Sequence, residues 1–324
     1  MRATLPHSSC KSDFNCRNPQ LNQGCGRLPR FIYLQLHFLI ALYATTAVLG
    51  HLISFNAPAL VFWRCLLAAL GGALLVAAVL RRKVLPPPGM LLPLIGIGCI
   101  MGLHWMCFFG AVKLANISIC LAGMATTSFF TAFTEPLLER RRVRPLEVLL
   151  GLLVVAGILL VAGFERGYLP GLLIALAGAL LAAVFPVMNR RLIRKEMMDP
   201  FVMVVWEMAG AAAICLAAMP LLEAPGAYVR LFDFKDLDWL WLLLLAWFCT
   251  VFALALHIHL LRNLSAYTLN LAGNFEPVYG IAAAALLFGE HRGLHPGFFA
   301  GTSTILIANI AHPLILRKIA RRKT

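Results

Sequence analysis

Three ionisable side chains stand far inside long apolar stretches: Arg64, Glu207 and Glu276. A charge held in hydrocarbon costs at least a few kcal/mol, and such groups by default mark a path for substrate, ions or protons. Arg64 follows Trp63 and Glu207 follows Trp206, each shortly after a proline, Pro58 or Pro200. Arginine offers a planar fork of N–H donors that fits a carboxylate. A glutamate accepts from an ammonium or carries a proton. Arg64 and Glu207 are therefore a candidate pair for the two ends of a zwitterion such as an amino acid. The alternative is that each charge packs against a neighbouring helix and only holds the fold. Glu276 precedes Pro277, whose missing N–H leaves the Gly273 carbonyl without its usual helical partner. A carboxylate beside a loosened turn suits a cation or a proton; the alternative is a neutral acid bonded to another helix.

Other polar residues share the same stretches. Asn270 and Asn274 are i,i+4 neighbours with Tyr267 on their face. In an unbroken helix Glu276 points about 160–200° away from Asn274, so the two cannot line one cavity, and the sequence leaves open which face is inward. Thr127, Thr131 and Thr134 form a hydroxyl stripe, which lines a polar path or bonds back to carbonyls of its own helix. His104, His257 and His259 are candidates for proton relays, but His257 and His259 are two apart, diverge on a helix and make a poor metal pair. Glu135, Glu139 and Glu290 stand at segment ends and read as caps or partners of nearby arginines. The chain has no H-E-x-x-H, no G-x-S-x-G and no P-loop. No catalytic residue, metal site or cofactor is expected, and an ATP-driven pump within this chain is excluded.

The elements that must position these groups follow from composition. Of 324 residues 61% are hydrophobic and only 13% charged, with a mean hydropathy of +0.83. An ordinary soluble domain is about half apolar and about a quarter charged. A soluble enzyme, a nucleic-acid-binding domain and a disordered protein are thereby excluded. A bilayer core of about 30 Å takes about 20 apolar residues per helix. Ten such runs are predicted, at approximately 31–52, 58–80, 89–112, 117–138, 145–164, 169–188, 200–222, 238–261, 266–287 and 296–316. Continuous Leu/Ala/Val/Gly runs such as Gly171–Val184 do not alternate, so these are helices rather than barrel strands. Glu276, about ten residues into the ninth run, lies about 15 Å deep, near the midplane. The small-residue patterns Gly98-x-x-x-Gly102 and Gly171-x-x-x-Ala175 suit close helix packing.

Basic residues set the orientation. With the ten runs threaded in order, 22 of the 28 Lys and Arg fall on the side of the N-terminus and five on the other, Arg64 lying within a run. Both termini are therefore expected in the cytoplasm. The net charge of +14 is explained by topology and anionic lipid, without nucleic acid. Six of the nine cysteines lie in apolar runs as small buried hydrophobes, and Cys10, Cys16 and Cys25 show no zinc spacing. Residues 1–30 read as a disordered cytoplasmic tail and 317–324 as a basic cytoplasmic tail.

The chain also repeats. Leu114-Ala-Asn-Ile-Ser118 echoes Leu261-Arg-Asn-Leu-Ser265, and Leu121-Ala-Gly123 echoes Leu271-Ala-Gly273. Glu139, Pro145 and Gly151 are echoed by Glu290, Pro296 and Gly301, and Pro58 to Arg64 by Pro200 to Glu207. Residues 31–164 and 165–316 are thus two units of five helices. An odd count threads the second copy the opposite way, as in secondary transporters that bind substrate between inverted repeats. The predicted fold is an all-α integral membrane protein with ten transmembrane helices in two inverted five-helix repeats.

On Arg64 after Pro58, Glu276-Pro277-Val278, Phe288-Gly289-Glu290 and the Gly-rich run from Gly297, the chain resembles the EamA-type ten-helix permeases of the drug/metabolite transporter superfamily. The resemblance covers about 31–316. It departs in the fourth run, where Thr126 stands in place of a proline frequent in the family and Leu138-Glu139 replaces Gly-Glu. The resemblance implies a carrier of small metabolites, often an exporter. The expected substrate or coupling residues are Arg64, Glu207, Glu276, Asn270, Asn274 and Thr131. The expected partners are a small-molecule substrate, protons and membrane lipid in the plasma (inner) membrane, with a homodimer left open. The competing classes are a membrane-embedded enzyme and a scaffold without transport.

Overall fold

A computed structural model describes residues 30–196, 198–222, 227–273 and 275–321. The expectations for Asn274, for the N-terminal tail through residue 29, for Cys10, Cys16 and Cys25, and for residues 322–324 lie outside the described residues. All described secondary structure is helical. The helices are α1 (Arg30–Leu52), α2 (Ala57–Leu74), α3 (Leu91–Leu114), α4 (Ile117–Met124), α5 (Thr127–Glu139), α6 (Pro145–Phe164), α7 (Leu169–Ala182), α8 (Phe185–Glu196), α9 (Pro200–Leu222), α10 (Ala227–Arg230), α11 (Asp238–Ala246), α12 (Ala253–Leu261), α13 (Ala266–Gly273), α14 (Glu276–Phe288) and α15 (Pro296–Arg321). Among the described residues nine continuous or paired segments are long and apolar enough to cross a bilayer. The α15 helix, apolar over Pro296–Ala308, supplies the tenth span.

Local chemistry starts and stops these helices. The Asn56 side chain caps α2 by accepting from the Ala59 N–H, and Asn116 caps α4 by accepting from the Ile119 N–H at 2.8 Å. The Ser265 hydroxyl accepts from the Thr268 N–H at the start of α13. Prolines open α6, α9 and α15, where a missing N–H costs nothing. Gly289 ends α14 in the left-handed region at φ 68°.

Among the described residues three spans turn between two α-helices, and the eighth passes from α11 to α12 through a π-helical turn, Trp247–Phe252. The fourth is α4, a break at Ala125–Thr126 and α5. The ninth is α13 and α14, with Phe275 in a turn before α14. The two match in length: 8 residues, then 13. The sixth span is α7 and α8, turning at Ala183–Val184. It runs to Glu196 rather than to the expected 188, because the turn starts a second helix. That helix carries Arg190, Arg191 and Arg194 beyond the apolar run.

Close packing uses the small residues. A Cβ on Gly98 of α3 would lie 2.0 Å from the Glu207 carbonyl oxygen of α9, and one on Gly210 of α9 would lie 2.3 Å from the Ile95 carbonyl oxygen. Gly157 of α6 and Gly301 of α15 meet reciprocally, each Cβ falling 2.7 or 2.6 Å from the other's carbonyl oxygen. The fifth and tenth spans thus pair through one glycine from each repeat. Large apolar residues such as Leu92, Leu137, Leu221 and Leu286 cover the outside, as a lipid-facing surface requires. The protein is a multi-pass membrane protein.

Candidate functional site

Seven of the ten spans enclose a cavity of about 110 Å³, several times the room a single water needs. Its wall takes Tyr43 and Thr46 from α1, Arg64 from α2, and His104, Trp105 and Phe108 from α3. Both ends of the fourth-span break contribute, through Met124, Ala125 and Thr127. Phe185 opens α8, His257 comes from α12, and Asn270, Gly273, Glu276 and Pro277 flank the ninth-span break. The surface is mostly apolar and aromatic with a few convergent polar groups, the ordinary make-up of a small-molecule site.

Arg64 is only 2% exposed. Its Nε donates to the Thr250 hydroxyl at 2.7 Å and its Nη2 to the Cys249 carbonyl at 3.3 Å. Both partners belong to a π-helical turn, Trp247–Phe252, that joins α11 to α12. The Thr250 hydroxyl itself donates to the Leu245 carbonyl at 2.6 Å, which aims its lone pair at the arginine. The guanidinium lies 4.0 Å from the centre of the Trp105 ring, within cation–π range. Its Nη1 is buried without a hydrogen-bond partner.

Glu276 is the first residue of α14, where the helix dipole favours a negative charge. The ninth-span break changes the geometry expected of a straight helix. Asn270, on α13, and Glu276, on α14, both line the cavity, although an unbroken helix would turn them apart. Asn270 Nδ2 donates to the Thr131 hydroxyl at 2.9 Å, and that hydroxyl donates to the Thr127 carbonyl at 2.7 Å. Thr131 therefore acts one step behind the cavity wall, orienting Asn270.

The fourth span breaks without the proline that the family resemblance calls for. Thr126, Thr127 and Ser128 donate their hydroxyls to the carbonyls of Gly123, Met124 and Ala125 at 2.8, 2.7 and 3.3 Å. These three local bonds satisfy carbonyls at the end of α4. Thr134 donates to the Ala183 carbonyl at the sixth-span turn. The hydroxyl stripe thus bonds mainly to backbone, and Thr127 alone of its members reaches the cavity.

The structure separates Arg64 from Glu207. Glu207 is fully buried but does not line the cavity, and its backbone packs against Gly98 of α3. The carboxylate that shares the cavity with Arg64 is Glu276. The Trp-then-charge echo in the sequence marks equivalent positions but not which way each side chain faces. His104 Nδ1 lies 2.9 Å from the Gly178 carbonyl, so that nitrogen carries a proton and donates to it. His257 Nδ1 meets the Tyr43 hydroxyl at 2.8 Å. His259 is exposed and away from the site. Tyr43, Trp105, Phe108, Phe185 and Thr250 escape sequence reading, since an aromatic or Thr in an apolar helix looks like any core residue.

At each end of the bundle a glutamate of one repeat reaches a helix start of the other. Glu135 Oε2 accepts from the Tyr267 N–H at the start of α13 at 2.9 Å, while Arg190 and Arg141 lie 3.0 and 3.4 Å from its oxygens. Glu290 accepts from the Ile117 and Ser118 N–H groups at the start of α4, at 3.2 and 3.1 Å, and from the Ser118 hydroxyl at 2.7 Å. Glu139 pairs with Arg190 and Arg194. The expected roles of these glutamates as caps and ion pairs match these contacts.

Comparison with known proteins agrees with this architecture. Twenty-seven chains of solved structures match this chain. One crystal structure superposes with a TM-score of 0.65 at 20% identity, over 89% of this chain and 99% of that one, a likeness of fold. No curated protein matches. The family model described as the EamA-like transporter family matches twice, over residues 31–163 and 169–310. With two such matches spanning nearly all ten helices, the chain belongs to the EamA-like transporter family, within the drug/metabolite transporter superfamily.

Proposed function

We propose that this protein is a secondary transporter of a small, amino-acid-like zwitterion, working by alternating access as an exporter. One observation carries the reading: one cavity, lined by seven of the ten spans, holds an arginine with an unpartnered Nη1 and a glutamate at a helix N-terminus. The substrate carboxylate bonds Arg64, where a guanidinium already fixed by Thr250 and Cys249 loses little freedom on binding. The substrate ammonium faces Glu276 and the Asn270 amide. Trp105, Phe108 and Phe185 take the apolar part of the solute. Two interrupted spans of matching length meet at the cavity from opposite directions, the arrangement of transporters in which one repeat rocks against the other. Family and fold point to a transporter rather than an enzyme. The 22-to-five split of basic residues supports a plasma-membrane (inner-membrane) location with both termini in the cytoplasm, and the direction of export rests on the family resemblance.

The test is transport by the purified full-length chain in liposomes loaded with a mixture of radiolabelled amino acids. Protein-dependent release of one or a few of them is expected, lost in Arg64→Ala. Release equal to that of empty liposomes for every amino acid would overturn the reading.

A further inference from the structure

We propose that Glu207 and Asn189 form a proton site separate from the substrate cavity, through which transport is coupled to protons. The inference rests on the proposed transporter function and adds the coupled ion and its place. Glu207 is 0% exposed and Asn189 2% exposed. Both carboxyl oxygens of Glu207 and the Asn189 Oδ1 are buried with no hydrogen-bond partner. Asn189, on α8, approaches the Glu207 carboxyl without closing a well-formed bond. These three buried acceptors are costly without hydrogen bonds, and the donor beside them is the Asn189 NH₂, which lies near the carboxyl without a well-formed bond. One proton on Glu207 removes the buried charge and pairs two of the three oxygens: the O–H donates to Asn189 Oδ1.

A metal ion fits the place poorly. Hard cations take about six to eight oxygen ligands, and only three unpartnered oxygens are present. Among the described residues no cluster of three or more His, Cys, Asp or Glu side chains forms a metal site. The charged and titratable groups on the elements around α9 make their hydrogen bonds to groups other than Glu207. Arg64 of α2 is held by Thr250 and Cys249, Cys99 of α3 by the Gly210 carbonyl, and His104 of α3 by the Gly178 carbonyl. Arg190 of α8 is held by Glu135 and Glu139, and His257 of α12 by Tyr43. The α10 helix meets the other end of α9, at Leu216.

The pair can serve both protonation states. An asparagine amide has an oxygen and an NH₂, and rotating it exchanges an acceptor for donors. With the oxygen toward Glu207 it accepts from the acid; with the NH₂ toward Glu207 it donates to the carboxylate. The proton comes from water on one side of the membrane and is returned to water on the other, with no other bond made or broken. The link to the substrate is α8 itself. Phe185, on the cavity wall, and Asn189 are four residues apart on one face of this helix. Phe185 packs against the rings of His104 and His257. A solute that displaces Phe185 therefore moves Asn189 relative to Glu207.

Infrared spectroscopy of the purified full-length protein, in water and in D₂O, tests the site without any substrate. A carbonyl stretch of a protonated carboxylic acid is expected in the wild type, with a component lost in Glu207→Gln, kept in Glu276→Gln and shifted in Asn189→Leu. A band that Glu207→Gln leaves unchanged, or that Asn189→Leu leaves unmoved, would overturn the site. Liposome flux of a radiolabelled amino-acid mixture then tests coupling. An imposed pH gradient should accelerate wild-type flux several-fold, and the ratio of rates with and without the gradient should fall to one in Glu207→Gln. A ratio unchanged in that variant would overturn the coupling. If the wild type moves no amino acid at all, the proposed substrate class fails, and the infrared measurement still decides the site.

Discussion

Glu135 and Glu290 do the same work at opposite ends of the fourth span: each accepts backbone N–H groups at the start of an interrupted helix in the other repeat. Glu135 reaches α13 and Glu290 reaches α4. The first four N–H groups of a helix lack partners within it, and a carboxylate there satisfies both the hydrogen bonds and the dipole. The two repeats are thus tied by exchange of caps, once at each end of the bundle.

Removing one cap should be measurable. Glu290→Ala leaves two N–H groups and a hydroxyl without their carboxylate, and is expected to cost about 1–3 kcal/mol. Glu290→Gln keeps one acceptor oxygen and should cost less. Thermal unfolding of the two variants in detergent checks the order; equal melting temperatures for Glu290→Ala and the wild type would contradict the cap.

Arg64→Lys should be present in the membrane at normal levels but transport poorly, with at least a tenfold weaker apparent affinity. A lysine cannot reach Thr250, Cys249 and a substrate carboxylate together, because its single ammonium has no fork. Concentration-dependent flux in liposomes reads this directly. Normal affinity in the lysine variant would remove Arg64 from the binding site.

Gly301→Val is expected to destabilise the pairing of α6 with α15. Its Cβ would fall 2.6 Å from the Gly157 carbonyl oxygen, with backbone rather than a flexible chain in the way. Overpacking of this kind costs about 1–3 kcal/mol. A lowered melting temperature and loss of a monodisperse peak are expected, whereas Gly163→Ala, which meets nothing within 4 Å, should behave as wild type.

Both termini are expected in the cytoplasm. A reporter active only outside the cytoplasm should be silent after Thr324 and active when inserted between α9 and α11. The opposite pattern would reverse the orientation drawn from the basic residues.

Much of this was open to reading in the residues. Long apolar runs bounded by Pro, Asn and Gly fix the spans, because a bilayer tolerates little else. Arg64 stands out in the sequence for the same reason: a guanidinium in such a run needs partners. The breaks were harder. Pro277 announces one, but the break at Ala125–Thr126 depends on three hydroxyls folding back onto carbonyls, and Ser and Thr in unbroken membrane helices have the same composition. Asn270 and Glu276 looked incompatible only while the ninth span was taken as straight. The pairing of Arg64 with Glu207 failed on orientation. The echo of Trp63-Arg64 in Trp206-Glu207 fixes position along a helix and not the neighbour each side chain meets. Thr250 was invisible, since its reach to Arg64 depends on a π turn that no sequence pattern marks.

The two breaks are alike in length and unlike in kind. At the ninth span Pro277 has no N–H to give, so the Gly273 carbonyl can never be closed by a straight helix. At the fourth span Thr126, Thr127 and Ser128 all keep their N–H groups, and the hydroxyls now bonded to the carbonyls can let go. In mechanical terms one hinge is locked open and the other has a latch. Bending strain that reaches the cavity should collect in the fourth span, where α4 and α5 can straighten and refold, while α13 and α14 keep their angle and act as the fixed jaw.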